Sequence, residues 1–273
     1  MNKLITTILT FAALTLQLYS ANLDIDNASA ASYSNGWNAS FPAFSLDGTI
    51  DGSGSGFGGW LLTADSNTSI SIQSVAFLGG STLLDTASTS FRLSGGFYSP
   101  DGGITWNQAY ARAKRWVDPL GLDTGDSFSF QMAVNWRNGA KGVSIFDTNN
   151  NKIFGLNIGG DDYVVNSAFS NNGSIGNTYS NDTLLELNFE QTDSTGGTWT
   201  ITRSGGVNDI DTGTYAGTLR SFEFYAGGST SNTNSDALFF NNLSVIPEPS
   251  TLSLMFGGLT GLIALRIMRK RNG

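Results

Sequence analysis

Along the middle of the chain, apolar and polar residues alternate with a period of two. Phe128, Phe130, Met132, Val134 and Trp136 fall on one side of an extended backbone, with Ser127, Ser129, Gln131, Ala133 and Asn135 between them. That is the pattern of a half-buried strand. Ile70 and Ile72, with the run to Leu78, predict another. Val143 and Ile145, then Phe154, Leu156 and Ile158, flank Asp147-Thr148-Asn149-Asn150-Asn151. This predicts a hairpin whose asparagines accept left-handed backbone angles. Leu185, Leu187 and Phe189 alternate again, as do Trp199 and Ile201 opposite Thr198, Thr200 and Thr202, and Phe222 and Phe224 opposite Glu223 and Tyr225. Ala237–Val245 predicts the closing strand. About ten short strands with turn signals between them, and no βαβ rhythm, predict an all-β, antiparallel β-sandwich over residues 22–246. One stretch departs from the rhythm. Trp106, Ala109, Ala113 and Trp116 fall near helical spacing, so 106–116 reads either as a helix or as an irregular edge segment carrying Arg112, Lys114 and Arg115.

Both ends are apolar. Lys3 precedes a run from Leu4 to Leu18 interrupted only by Thr and Gln17, followed by Ser20 and Ala21. This is the layout of a helical secretory signal peptide over residues 1–21, cut after Ser20 or Ala21. Tyr19 departs from the small-residue preference, and the alternative is an uncleaved anchor, for which the run is short. At the other end, Pro247-Glu248-Pro249-Ser250 precedes a charge-free stretch from Thr251 to Leu265 and a basic cluster, Arg266, Arg269, Lys270 and Arg271. Pro-Glu-Pro stops regular structure. The apolar stretch is near the lower length limit of a transmembrane helix, and the basic cluster holds its own end in the cytoplasm. With a signal peptide at the front, the body then lies across the membrane.

This tripartite ending, Val245–Arg271, resembles the PEP-CTERM sorting signal of bacteria that make exopolysaccharide. The resemblance implies an exosortase-type processing enzyme as partner, a membrane-anchored precursor, and a body released or handed to the cell surface or extracellular matrix. An ordinary tail anchor with a chance Pro-Glu-Pro is the alternative. The same tail type is sometimes labelled an ice-binding protein C-terminal domain; the label describes the tail and says nothing of the body.

Composition narrows the chemistry. The chain has 273 residues, 34 of them glycine, with no cysteine and no histidine. Disulfides, imidazole or thiolate metal sites and Ser-His-Asp or Cys-His catalysis are therefore impossible. The span 22–246 holds nine Lys/Arg against 21 Asp/Glu, a net charge of −12. Such an acidic body disfavours nucleic acid as a partner.

Several segments resemble a lectin-like sandwich of the concanavalin or laminin-G jelly-roll kind: Gly56-Phe57-Gly58-Gly59-Trp60, Arg115-Trp116 before Gly125-Asp126-Ser127-Phe128, Asn138-Gly139-Ala140-Lys141-Gly142, and Phe239-Phe240-Asn241-Asn242-Leu243. The resemblance implies a fold and carries no functional residue with it. Glu186-Leu187-Asn188-Phe189-Glu190 is similar to the strand of laminarinase-like glycoside hydrolases, with Asn188 where that family has a central Asp. Glu186 and Glu190 would serve as nucleophile and acid only with their carboxyls about 5–5.5 Å apart. Otherwise the three residues form the wet face of an ordinary strand. Oxygen ligands alone are on offer, so no cofactor is expected and calcium is the one metal to test, at Asp147/Asn149/Asn151, at Asp161/Asp162 or at Asp123/Asp126. In the first of these, Lys152 and Ile158 replace the required Gly and Glu. Trp37, Trp60, Trp106 and Trp116 are sugar-stacking candidates, weighed against burial in the core. Asn172-Gly173-Ser174 reads as turn composition. The expected function is that of a non-enzymatic surface or matrix protein that binds carbohydrate or exopolysaccharide. A hydrolase using Glu186 and Glu190 and a ligand-free structural biofilm protein are the alternatives.

Overall fold

A strand that is apolar on one side must cover that side with another layer, and here two antiparallel sheets cover each other. The computed structural model describes residues 24–33, 37, 57–75, 84–98, 107–118, 120–136, 138–159, 162–167, 173–176, 180–228 and 237–248. Among them are sixteen strands. The first eight are β1 (Asp24–Asp26), β2 (Leu61–Ala64), β3 (Ser69–Gln73), β4 (Ser90–Ser94), β5 (Gly96–Tyr98), β6 (Asn107–Trp116), β7 (Ser127–Val134) and β8 (Ala140–Asp147). The rest are β9 (Lys152–Gly159), β10 (Asp162–Ser167), β11 (Gly173–Ser174), β12 (Thr183–Asp193), β13 (Gly196–Gly205), β14 (Asp209–Ala216), β15 (Leu219–Gly227) and β16 (Ala237–Ile246). One sheet runs β14-β13-β12-β7-β16-β4-β3, with β1 beside β16; the other runs β11-β10-β9-β8-β15-β6-β2, with β5 beside β6. Every pairing is antiparallel. Leu23–Ile246 forms one compact unit.

Aromatic rings join the layers. Phe128 of β7 stacks on Phe222 of β15 at 4.8 Å, and Phe224 of β15 stacks on Phe240 of β16 at 3.8 Å. Phe154 of β9 meets Phe189 of β12 at 5.0 Å and Trp199 of β13 at 5.4 Å. All but Phe240 are residues the alternation placed on one side of a strand, and each such ring pair adds about 0.5–1.5 kcal/mol beyond the area it buries. The hairpin through Asp147–Asn151 is also as expected, with Asn150 at φ 63°.

Two expectations are corrected. The stretch with helical spacing is strand β6, held between β15 and β2. Its period of two was disguised because the inward residues are alanines: Ala109, Ala111 and Ala113 are fully buried, while Tyr110, Arg112, Lys114 and Trp116 alternate outward. Trp106 lies outside the described residues. Trp136 does not continue β7 inward; it stands past the strand's end, 56% exposed. The residues between Val75 and Leu84, Leu78 included, also lie outside the described residues.

An ion pair crosses the core. Arg115, the inward exception on β6, bonds Asp26 of β1 through Nη1, and both side chains are fully buried. Nε of Arg115 donates to the carbonyl of Gly58, and its guanidinium lies 4.8 Å from the Phe57 ring and 5.0 Å from Trp60. The Tyr33 hydroxyl donates to Asp26 Oδ2 at 2.5 Å and accepts from Trp60 Nε1 at 2.9 Å. Burial pushes that hydroxyl's pKa far up. The network ties a three-residue strand of one sheet to the other sheet. β1 in turn pairs the end of β16, Asp24 opposite Val245, so the two ends of the body lie side by side.

Candidate functional site

Among the described residues, the outer face of the sheet containing β6, β15, β8 and β9 gathers exposed cations and aromatic rings. Antiparallel register lays its outward residues in rows. One row reads Lys114, Glu223, Ser144, Gly155; the next reads Arg112, Tyr225, Gly142, Asn157; a third reads Trp116, Ser221, Phe146, Lys152. Tyr110 faces Gly227 in a fourth. Glycines shape this surface by what they leave out. A Cβ on Gly227 would stand 2.2 Å from the Tyr110 ring, so that ring lies across the β15 backbone. A Cβ on Gly155 would meet the end of Lys152 at 2.4 Å. Bare backbone on one strand thus lets a neighbour's side chain lie down on the sheet.

Cations sit on the aromatic rings. The Arg112 guanidinium lies 4.6 Å from the Tyr110 centroid, and Lys114 Nζ lies 4.4 Å from that of Phe146. Arg112 Nη1 also bonds Glu223 Oε1 at 2.9 Å, with side chains 41% and 20% exposed. Lys114 Nζ donates to Asn150 Oδ1 at 2.7 Å. Tyr225 donates its hydroxyl to Asn157 Oδ1 (3.0 Å) or the Leu156 carbonyl (3.3 Å). Burial raises the pKa of this phenol, Tyr110 and Glu223 raise it further, and Arg112 opposes them. A raised phenol already engaged with backbone is a positioned donor and a poor general base.

The rows given above carry a charge opposite to the body's. Of the nine Lys/Arg in 22–246, Arg92, Arg115, Lys141 and Arg203 are buried. Their bonds are internal: Arg203 Nη2 holds Asp209 and Asp211, each at 2.8 Å, and Lys141 donates to the Asn138 carbonyl. Arg137 lies outside the described residues. The remaining four are Arg112, Lys114 and Lys152 on this face and Arg220 at its margin, where it donates to the Thr148 carbonyl at 3.2 Å. Glu223 is the one carboxylate among the rows given above.

The opposite outer face holds the carboxylate candidates. Glu186, Asn188 and Glu190 do share the outward side of β12, beside Thr202, Thr200 and Thr198 of β13. Two residues four apart on one strand stand ~13 Å apart at their Cα atoms, and Asn188 fills the space between. Glu186 and Glu190 are both exposed, and Glu186 accepts from Gln131 at 3.4 Å. The arrangement is an exposed, hydrated strand face.

Two of the oxygen-ligand candidates sit in turns. Asp147 Oδ1 accepts from the backbone N–H groups of Asn149 (2.9 Å) and Asn151 (2.7 Å), capping its own turn. Asp126 Oδ2 likewise accepts from the Asp123 N–H at 3.2 Å. Asp161 lies outside the described residues, and Asp162 opens β10. Among the described residues, no cluster of three or more acidic side chains is placed to hold a metal ion. Trp37 and Trp60 are each 1% exposed, core residues with no face for a sugar. Trp116 is half-buried and outward on β6. Asn172 lies outside the described residues, and Gly173-Ser174 is β11. Pro247 and Glu248 follow β16 without regular structure, whereas Pro249, Arg266, Arg269, Lys270 and Arg271 lie outside the described residues. No helix among the described residues is long and apolar enough to cross a membrane.

One lectin-like segment anchors a corner of the fold. Asn241 is fully buried; its amide donates to the carbonyls of Leu84 (3.0 Å) and Thr89 (2.9 Å), and its oxygen accepts from the Ala28 N–H (2.8 Å). A cleft of ≈ 610 Å³ near that corner is lined by residues including Tyr33, Trp37, Ile72 and Thr89, with no charged side chain.

The basic, aromatic face was not foreseen from the sequence. The signal for it was the outward series Tyr110, Arg112, Lys114, Trp116 between alanines.

No protein-family model matches the chain, and no curated relative does. Solved structures resemble it distantly. A sialidase is 13% identical with a TM-score of 0.45, the match covering 69% of this chain but 17% of the other. An endo-β-1,4-glucuronan lyase from Trichoderma reesei is 14% identical with a TM-score of 0.42, covering 69% and 91%. Lectin I-B4 from Griffonia simplicifolia is 8% identical with a TM-score of 0.31, covering 64% and 92%. Likenesses this distant carry no weight for function.

Proposed function

We propose that this chain is an exported, non-enzymatic carbohydrate-binding protein that reaches the cell surface or matrix through its PEP-CTERM-type tail. The observation that carries the binding reading is the platform of β6, β15, β8 and β9. Trp116 offers a half-buried aromatic ring, and Asn157, Arg112 and Lys114, the last two lying over Tyr110 and Phe146, offer hydrogen bonds beside it. Aromatic faces with flanking polar groups suit sugar rings, which are apolar on one side and hydroxylated at the rim. The sandwich is read as a jelly roll of the concanavalin or laminin-G kind.

Two features support the sorting reading. Residues 1–21 and 247–273 have the composition of a signal peptide and of an anchor ending in a basic cluster. The body's two ends lie side by side at Asp24 and Val245, which suits a body presented from one membrane before exosortase-type processing. The absence of histidine opposes imidazole-dependent hydrolysis, and Asn188 stands where the laminarinase-like pattern has its central Asp. A glycan array probed with the full-length protein tests the binding reading: retention on polysaccharide is expected, and a blank array leaves a ligand-free structural protein. Mass spectrometry of the native C-terminus tests the sorting reading. A mature chain ending near Pro247–Ser250 is expected; an intact Gly273 in the membrane fraction makes the tail a plain anchor.

A further inference from the structure

We infer that the platform selects acidic glycans, with Arg112 and Lys114 gripping uronate carboxylates; this rests on the carbohydrate-binding reading above. Charge placement carries the inference. The body is at −12, yet Arg112, Lys114 and Lys152 are gathered on one face with Arg220 at its edge, and its other cations within the described residues are buried in internal contacts. In a body that is acidic overall, chance placement would scatter exposed cations among carboxylates. Gathering them makes the potential over these rows more positive than over the rest of the described surface, which favours an anion there.

The geometry already shows how a carboxylate is held there. Glu223 stands directly opposite Lys114 across the β6–β15 pairing and bonds Arg112, its neighbour two positions along β6, at 2.9 Å. The pair is partly exposed, so it is worth about a kcal/mol or less in the free protein. A ligand carboxylate can join or displace Glu223 at small cost. The cations are also oriented before any ligand arrives, Arg112 over Tyr110 and Lys114 over Phe146. Repeating carboxylates along a polymer would meet cations about 7 Å apart along β6, the spacing of alternate residues on a strand. A neutral polymer would gain only the stacking.

The full-length protein is titrated against three probes: a linear polyuronate, the same polymer with its carboxyls reduced to primary alcohols, and a neutral glucan. Binding to the polyuronate is expected to exceed binding to the reduced polymer at least about tenfold and to weaken as salt rises. Arg112→Gln with Lys114→Gln should lose most of that preference, while Glu186→Gln with Glu190→Gln should keep it. Thermal unfolding of each variant verifies that its fold is intact. Equal binding to the charged and reduced polymers, or an unchanged preference in the folded Arg112/Lys114 variant, overturns the inference and leaves carbohydrate binding standing. Failure to bind any of the three overturns both.

Discussion

The two outer faces of the sandwich share one backbone geometry and differ in what stands on it. On β12, β13 and β14 the outward residues are Glu186, Asn188 and Glu190, then Thr198, Thr200 and Thr202, then Ile210, Thr212 and Thr214. Over these three strands the side chains are mostly polar and exposed, and the charge is negative. On β6, β15, β8 and β9, large aromatics and cations alternate with glycine and serine, so long side chains lie across short ones. The first face needs only water. The second orders Arg112, Lys114 and Tyr225 through contacts that keeping a sheet soluble does not require. The difference teaches that two faces of one sandwich can share a backbone pattern and still differ in relief and in charge.

The largest expected effect lies beneath both faces. Asp26→Ala leaves Arg115 buried without its partner carboxylate and should cost about 3–5 kcal/mol in urea unfolding, loosening both sheets together. A loss below about 1 kcal/mol would mean the pair does not join the layers. Next come matched glycine substitutions. Gly213→Val drives a side chain against the buried Trp199 ring, 2.4 Å from a Cβ, and should cost about 1–3 kcal/mol. Gly227→Val on the platform displaces the half-buried Tyr110 instead, so it should cost less stability while weakening glycan binding; the reverse ranking would break the comparison.

The dependence on pH sharpens it further. Tyr33, Tyr215 and Tyr225 all have pKa values raised by burial. A phenol raised in the folded state stabilises the protein below the unfolded pKa of about 10. That stability is lost as pH rises beyond it, because the unfolded chain releases its protons first. Melting temperature should therefore fall above about pH 10, and less steeply in Tyr225→Phe. The smallest effect is expected at Glu190→Gln on the opposite face, within about 0.5 kcal/mol of wild type and with binding unchanged.

The core was legible in the sequence because Phe, Leu and Ile alternate with small polar residues on β7, β12 and β15, where period two is unmistakable. The platform was not, because on β6 the contrast is inverted. Its buried residues are alanines and an arginine, and its outward residues include Tyr110 and Trp116, so hydrophobicity points the wrong way. β1 was hidden for a different reason. Three residues cannot establish a period, and Asp26 belongs inside only because Arg115 arrives from 89 residues away. Trp37 and Trp60 illustrate the converse, since residue type suits a sugar or a core equally and only burial decides.

Hydroxyl-radical footprinting of the full-length protein, with and without saturating polyuronate, tests the central claim most directly. Tyr110, Trp116 and Phe146 should lose oxidation when the polymer is bound, while exposed Ile210 on the opposite face and Trp136 beyond β7 keep theirs. Protection that falls on Ile210 and spares Tyr110 and Trp116 would contradict it.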